Sequence, residues 1–159
     1  MVSLSSPRSL NREDLSGTEV SLMISRWPPL AASTYSSVRA QSSASVNEGI
    51  YTAAQADRGK AVYAMNCAGC HGEKAEGGNA GPTLSGPDFT NGYKDGNASA
   101  LYGKISMDMP SSAPGSLNPE QYADVLAYLL SVNKYPAGQT EIPKDGAGLK
   151  SVKMAAPKA

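Results

Sequence analysis

The sequence Cys-Ala-Gly-Cys-His at residues 67–71 constrains the fold of this chain more than any other feature. It contains both cysteines and the only histidine of the 159 residues. The soft metal-binding thiols and the imidazole are therefore confined to five consecutive positions. A fold that uses this chemistry must bring its ligand to this one segment.

Three chemistries that use a close cysteine pair fit the chain poorly. Structural zinc needs four ligands, usually in two separated pairs, and here a carboxylate would have to be the fourth. A thioredoxin-like dithiol needs a βαβ context, which the sequence lacks. A disulfide across two intervening residues would be a strained, reducible loop.

Covalent haem is the interpretation that the motif favours. In C-x-x-C-H the two thiols form thioethers with the haem vinyl groups, and the histidine binds the iron from the proximal side. Cys67 and Cys70 have this spacing, and His71 follows directly. Ala68 and Gly69 between them are small enough for close approach. The segment predicts one covalent haem c.

Elimination narrows the set of residues that could be the second axial ligand of the iron. Because His71 is the only histidine, two histidines of this chain cannot both bind the iron. Met109 is the better candidate, since Pro110 stiffens the backbone that carries its sulfur. Met107 is an alternative, expected to fill space near the haem edge. An oxygen or lysine ligand, or an open site, is the remaining alternative, and Met65 is expected in the core.

Helical patterns dominate the chain, and no convincing alternating strand occurs, so the predicted fold class is all-α. The first helix follows Thr52, with Gln55 expected to close a capping box. A shorter helix follows Asn97. The last helix follows Asn118, where Gln121 closes a second box, and it carries an amphipathic stripe of Tyr122, Val125, Leu126, Leu129 and Leu130.

The glycine-rich segment 72–96 is predicted to be a loop. A loop this long without secondary structure is uncommon in a compact domain unless something organises it. A bulky bound group is the expected organiser.

The composition changes near residue 44. Residues 1–44 contain twelve serines and four arginines but no lysine, whereas the rest contains nine lysines and one arginine. We interpret residues 1–44 as a disordered or wrongly started leader, with an export signal cleaved near Ala40 as the alternative. Residues 45–159 are predicted to form the domain, and the order of the tail after about residue 138 stays open.

The charge of this domain disfavours two classes of partner. Ten basic and eleven acidic side chains give residues 45–159 a net charge of −1. No basic stripe indicates nucleic-acid binding. No apolar run approaches the roughly 18 residues of a membrane span, so stable membrane insertion is not expected.

Taken together, these residues resemble the class I c-type cytochromes with one haem. The segments RGKAVYAMNCAGCHG, GPTLSG, MP and YADVLAYLLSVNKYPAG follow one another in the order of that family. The chain is most similar to small cytochromes associated with PQQ-dependent alcohol dehydrogenases and to the cytochrome domains of quinohaemoprotein dehydrogenases. The resemblance implies a cytochrome c-like fold of three to four helices around one covalently attached haem.

The resemblance also implies roles for individual residues around the haem. The carbonyl of Pro82 should accept the Nδ1 proton of His71, which would orient the imidazole. Tyr93 stands where the family often has a tryptophan after the Phe89 position. The haem pocket should be lined by the apolar residues Leu84, Leu101, Ile105 and Leu129.

A contact between the first and last helices is implied as well. Gly59 and Tyr63 should cross Val125 and Tyr128 there. This close approach would explain the glycine within the first helix, where glycine costs about 1 kcal/mol relative to alanine.

The function implied by the resemblance is one-electron transfer rather than enzymatic catalysis. Such a carrier would shuttle electrons from a periplasmic dehydrogenase, with a quinoprotein dehydrogenase as the candidate donor, to a terminal oxidase or another cytochrome. It would be an extracytoplasmic monomer that docks transiently. Two alternatives stay open: an open-site haem protein acting as a peroxidase or diatomic-gas sensor, and a permanent dehydrogenase subunit.

Overall fold

A computed structural model describes residues 45–158, so the leader predicted for residues 1–44 lies outside the described residues. These residues contain two short 3₁₀ helices, Val46–Glu48 and Leu149–Ser151. No strand occurs between residues 45 and 158, which confirms the all-α fold class. The five α-helices are α1 (Ala53–Asn66), α2 (Ala68–His71), α3 (Gly86–Tyr93), α4 (Ala98–Asp108) and α5 (Pro119–Val132).

Helix α1 begins at the predicted cap but without the predicted capping box. The Thr52 side chain accepts a hydrogen bond from the Gln55 backbone N–H at 3.1 Å. The Gln55 side chain instead donates to the Ile142 carbonyl at 3.0 Å and accepts from the Ile142 N–H at 2.8 Å. A buried amide needs both a donor and an acceptor as partners, and one backbone position of the C-terminal tail supplies them.

Helix α5 is the central helix of the domain. Its predicted capping box is confirmed: the Asn118 side chain accepts from the Gln121 N–H at 2.9 Å, and the Gln121 side chain accepts from the Asn118 N–H at 3.0 Å. The predicted apolar stripe is buried. So are the residues between its members, and residues 122–130 are therefore enclosed on all sides.

The contact between α1 and α5 is the most extensive helix–helix contact among the described residues. A Cβ at Gly59 would overlap the carbonyl oxygen of Asp124, so the glycine lets the two backbones approach closely. The rings of Tyr63 and Tyr128 pack beside it with centroids 5.0 Å apart. Arg58 also donates two hydrogen bonds to the Asp124 carboxylate, at 2.9 and 3.0 Å.

The predicted loop at 72–96 is partly helical, so that prediction is wrong over α3. This helix contains two glycines and a proline and would be marginal alone. Its Phe89 is buried in the core, with the Tyr93 ring 5.1 Å away. Tertiary packing of an aromatic side chain thus stabilises a short helix that local sequence disfavours.

The segment before α3 is held by side chains of the protein itself. Buried Asn133 donates to the Leu84 carbonyl at 2.9 Å and accepts from the Gly86 N–H at 2.9 Å. The Thr83 hydroxyl lies 3.1 Å from the Ala75 carbonyl oxygen, to which it donates. These bonds organise a glycine-rich segment for which a bound group was the expected organiser.

The tail after Gly138 packs along the domain. It buries four apolar side chains and carries the Val152 carbonyl, which accepts from the Ala98 N–H at 2.9 Å. The tail therefore reaches the start of α4 as well as α1. Its buried side chains are Ile142, Leu149, Val152 and Met154.

Met65 does not belong to the core. Its side chain is 74% exposed, which makes that prediction wrong. The buried face of α1 is formed by Gln55, Ala56, Gly59, Val62 and Tyr63, and Met65 lies on the other face.

Across the described part of the chain, no helix combines the length and the apolar character that crossing a membrane requires.

Candidate haem site

A cavity with about 550 Å³ of space, including its open mouth, lies against α1, α2, α4 and α5. It is lined by Tyr63, Asn66, Cys67, Cys70, His71, Leu84, Ile105, Met109, Pro110, Ser111, Ser112, Val125 and Leu129.

Seven of the nine predicted site residues lie in this lining, including Met109 and the whole Cys-x-x-Cys-His motif. The other two lie behind it. Pro82 contacts the ring of His71 from outside the cavity. Leu101 is buried in the core rather than in the lining. Met107 is 75% exposed and does not line the cavity, whereas Met109 is half-buried within it.

The one-turn helix α2 brings the thiols and the imidazole to the cavity. Cys67 ends α1 by donating its N–H to the Tyr63 carbonyl at 2.8 Å. Its own carbonyl accepts from the N–H groups of Cys70 and His71 at 3.1 and 3.0 Å. Consecutive helical turns that meet at Cys67 therefore place both cysteines and the histidine in one lining.

The two thiols are free and differ in their surroundings. Burial, with a smaller contribution from neighbouring Cys70, raises the pKa of the Cys67 thiol to about 11. The Cys67 thiol is therefore protonated at neutral pH. Cys67 is half-buried, whereas Cys70 is exposed. Within residues 45–158 no three His, Cys, Asp or Glu side chains are grouped so that they could hold one metal ion.

The ring of His71 is fixed by a backbone carbonyl. His71 is 8% exposed, and its Nδ1 lies 2.8 Å from the Pro82 carbonyl oxygen. A carbonyl oxygen only accepts hydrogen bonds, so Nδ1 carries the proton and the Nε2 lone pair is available to a metal. A Cβ at Gly81 would lie 2.9 Å from Nδ1 and 3.0 Å from Cε1, so glycine is required beside the ring.

Several residues near the cavity were not predicted as site residues. The Tyr63 hydroxyl donates to the Gly72 carbonyl at 2.8 Å, and burial raises the Tyr63 pKa above its usual range. Ser111 and Ser112 could have been inferred, because they directly follow Met-Pro. The Tyr122 hydroxyl lies 3.0 Å from the Met109 carbonyl oxygen, and no local sequence signal announces that contact.

The residues present fit a covalently bound haem. The lining combines two thiols, an imidazole with a free Nε2, a thioether side chain and apolar walls. Covalent haem requires the thiols and the nitrogen ligand, and a macrocycle requires the apolar walls.

Comparisons with known proteins place this domain among cytochromes. Residues 54–129 match the family described as cytochrome C oxidase, cbb3-type, subunit III. The cytochrome c-553-like protein of Synechocystis is 35% identical over 74 residues, which are 46% of this chain and 66% of that protein. The chain thus covers slightly less than two thirds of that relative.

A solved structure, the sulfane dehydrogenase SoxCD from Paracoccus pantotrophus, aligns with 67% of this chain and 53% of that chain. The identity is 22% and the TM-score is 0.48. That similarity is too low to support a conclusion about function.

The fold and the cavity define an all-α haem protein. The sequence matches over this domain support a class I c-type cytochrome with one covalent haem c and its iron. This agrees with the family and the cofactor predicted from the motif.

Proposed function

We propose that this domain carries single electrons from an extracytoplasmic dehydrogenase to a terminal oxidase or another cytochrome. In this proposal Cys67 and Cys70 hold the haem through thioethers, and His71 and Met109 are the axial ligands. The observation that carries the proposal is that all four side chains line one cavity. When bound, the haem supplies an iron that alternates between Fe(III) and Fe(II).

The role proposed for His71 follows from its hydrogen bond. Donation from Nδ1 to the Pro82 carbonyl, at 2.8 Å, keeps the ring in one orientation and one tautomer. It also raises the basicity of Nε2, as carbonyl partners of ligating histidines generally do. His71 would therefore be a strong, immobile ligand, which suits electron transfer with little rearrangement.

Met109 and the apolar walls would favour the reduced state. Thioether ligation raises the reduction potential of haem iron. Leu84, Ile105 and Leu129 surround the site with apolar surface, which limits solvent access and lowers the local dielectric. Both effects disfavour the form with the higher charge.

The cavity offers little for acid–base catalysis, so we propose that the domain is not an enzyme. The polar side chains other than the motif residues are Tyr63, Asn66, Ser111 and Ser112. Among the described lining residues there is no carboxylate, lysine or second imidazole. The peroxidase and gas-sensor alternatives would need such a group or a displaced Met109.

The partners proposed are redox proteins, and a quinoprotein dehydrogenase is the donor that the sequence resemblance favours. A net charge of −1 over residues 45–159 gives little long-range steering. We therefore propose that salt changes the association rate only modestly. From the sequence resemblance we also propose a periplasmic or otherwise extracytoplasmic monomer that docks transiently. Gel filtration with candidate dehydrogenases would detect a permanent subunit instead.

The test uses exported holoprotein and two methionine variants. The haem should stay with the polypeptide in acidified organic solvent, and ferric protein should show the charge-transfer band of methionine-ligated iron. Met109→Ala should abolish this band and let the reduced protein bind carbon monoxide promptly. The matched control Met107→Ala should behave as wild type, because Met107 is outside the cavity lining.

Two results would contradict the proposal. Extraction of the haem by the solvent would exclude covalent attachment through the cysteines. Prompt carbon monoxide binding by the wild-type protein, without a methionine band, would favour the open-site alternative.

A further inference from the structure

The hydroxyl of Tyr122 joins the two ends of the loop between α4 and α5. It donates to the Met109 carbonyl at 3.0 Å and accepts from the Leu117 N–H at 3.3 Å. Met109 is the first residue after α4, and Leu117 lies two residues before α5. One oxygen atom therefore contacts the backbone on both sides of this loop.

The loop between these two contacts lies on the surface. Residues 111–116 are all exposed. The backbone hydrogen bonds formed within it are short-range turns, Ala113 N–H to the Pro110 carbonyl and Ser116 N–H to the Ala113 carbonyl. Such bonds shape the loop without attaching it to the rest of the domain. Near Met109, the hydrogen bond from the Tyr122 hydroxyl attaches the backbone to α5.

Tyr122 itself is a firm attachment point. Its side chain is 4% exposed, and it lies in the first turn of α5, directly after the capping box of Asn118 and Gln121. Two residues further on, Asp124 is held by Arg58 of α1. The hydroxyl thus belongs to the first part of α5, which the capping box and the contact with α1 hold in place.

We infer that Tyr122 is a positioning residue for the axial methionine: its hydroxyl keeps the Met109 backbone, and with it the sulfur, at the cavity. This inference rests on the proposed function, in which Met109 binds the iron. The bond acts on the carbonyl of Met109 rather than on its sulfur. Tyr122 therefore controls how readily Met109 leaves the site, not the nature of the ligand.

The test compares Tyr122→Phe with Tyr135→Phe in ferric holoprotein. Both changes keep the ring and remove one buried hydroxyl; the Tyr135 hydroxyl donates to the Ala155 carbonyl at 2.7 Å, outside the cavity lining. Added imidazole competes with Met109 for iron. Tyr122→Phe should raise the apparent imidazole affinity about fivefold, the effect of losing one ordinary hydrogen bond. Tyr135→Phe should leave it unchanged.

A Met109→Ala background separates this inference from the proposed function. Met109→Ala alone should raise imidazole affinity strongly, and adding Tyr122→Phe should then change it by less than about twofold, because no methionine is left to position. If Met109→Ala has no effect, the ligand assignment fails and the inference with it. If Met109→Ala acts but Tyr122→Phe does not, only the inference fails. Equal shifts from Tyr122→Phe and Tyr135→Phe would also overturn it, since they would indicate general loosening.

A second measurement needs no variant at Tyr122. In wild-type protein saturated with imidazole, hydrogen exchange of the Leu117 amide should accelerate several-fold, because displacing Met109 loosens the contact that Tyr122 shares with Leu117. The Ile142 amide, bonded to Gln55, should exchange at its former rate. Unchanged exchange at Leu117 would overturn the inference even if Tyr122→Phe failed to fold.

Discussion

At His71 one backbone carbonyl determines which ring nitrogen is available to a metal. The adjacent Gly81 is close enough that any side chain there would press on the ring. The Gly81–Pro82 pair therefore determines the position of the imidazole. It supplies the hydrogen-bond acceptor and the space that the imidazole needs.

We predict that Gly81→Ala destabilises the holoprotein by about 1–3 kcal/mol, the usual cost of overpacking. The new Cβ would lie 2.9 Å from Nδ1 and 3.1 Å from the Cys70 carbonyl oxygen, so the ring or the motif backbone must shift. Urea unfolding followed by circular dichroism measures the change. Gly92→Ala in α3 is the control, because no other atom lies within 4 Å of its added Cβ. Equal midpoints for the two variants would contradict the crowding at His71.

Whether a feature of a single residue could be predicted depends on how far away in the sequence its contact partners lie. The placement of Cys67, Cys70 and His71 in one site could be predicted because they lie within five consecutive residues. The exposure of Met65 could not, because the face of α1 that is buried depends on where α5 crosses it. The contact of Tyr122 with Met109 was also beyond prediction, since the residues are 13 positions apart and belong to different elements.

At the scale of elements, the α1–α5 contact depends on a missing side chain. The carbonyl of Asp124 occupies the space that a Cβ at Gly59 would need. Backbone atoms cannot move aside as a flexible side chain can. The two helices would have to separate to accept any other residue.

Gly59→Ala should therefore lower the free energy of unfolding by about 3 kcal/mol, despite the better helix propensity of alanine. Gly103→Ala in α4 is the matched control, because a Cβ there meets no atom within 4 Å. That control should be neutral or slightly stabilising. The urea concentrations at the unfolding midpoints of the two variants measure this difference. A stabilised Gly59→Ala protein would show that the helices are not in close contact.

At the scale of the whole molecule, the C-terminal tail connects elements that are distant in sequence. Gln55 of α1 exchanges two hydrogen bonds with Ile142, and the Tyr102 hydroxyl of α4 donates to the Lys144 carbonyl at 2.6 Å. The family match ends at residue 129, so the tail residues that form these contacts lie outside it. The tail thus contributes to the core of this chain beyond the matched region.

We predict that Gln55→Ala releases this tail. The buried Ile142 N–H and carbonyl would lose their partners, which costs about 1–3 kcal/mol for each unsatisfied group. Trypsin cleavage after Lys144 should accelerate, as seen by mass spectrometry of brief digests. Gln139→Ala, at an exposed glutamine of the same tail, should leave the cleavage rate unchanged. Equal cleavage rates in Gln55→Ala and wild type would contradict the anchoring role.

Acid should weaken the same attachment. The hydrogen bond from Arg58, with its positive charge nearby, holds the pKa of Glu141 below its ordinary value. Stability from this pair is therefore fully present above the ordinary glutamate pKa of about 4.3 and is lost as pH falls through the folded-state value.

Glu141→Gln should flatten a plot of melting temperature against pH below about pH 5. The difference should be below about 1 kcal/mol, because the pair is exposed, and it should shrink in high salt. A Glu141→Gln protein with the acid sensitivity of wild type would show that this pair does not contribute.

The haem motif, the all-α class and the start of α5 were predictable from the sequence, because each is encoded within a few neighbouring residues. The motif spans five positions, and the capping box of α5 spans four. Three features were not predictable from the sequence: the existence of α3, the partners of Gln55 and Asn133, and the packing of the tail. These depend on hydrogen bonds that join residues 87 and 49 positions apart, and on the burial of an aromatic ring. Such partners are chosen by how the helices pack, which local propensity does not encode.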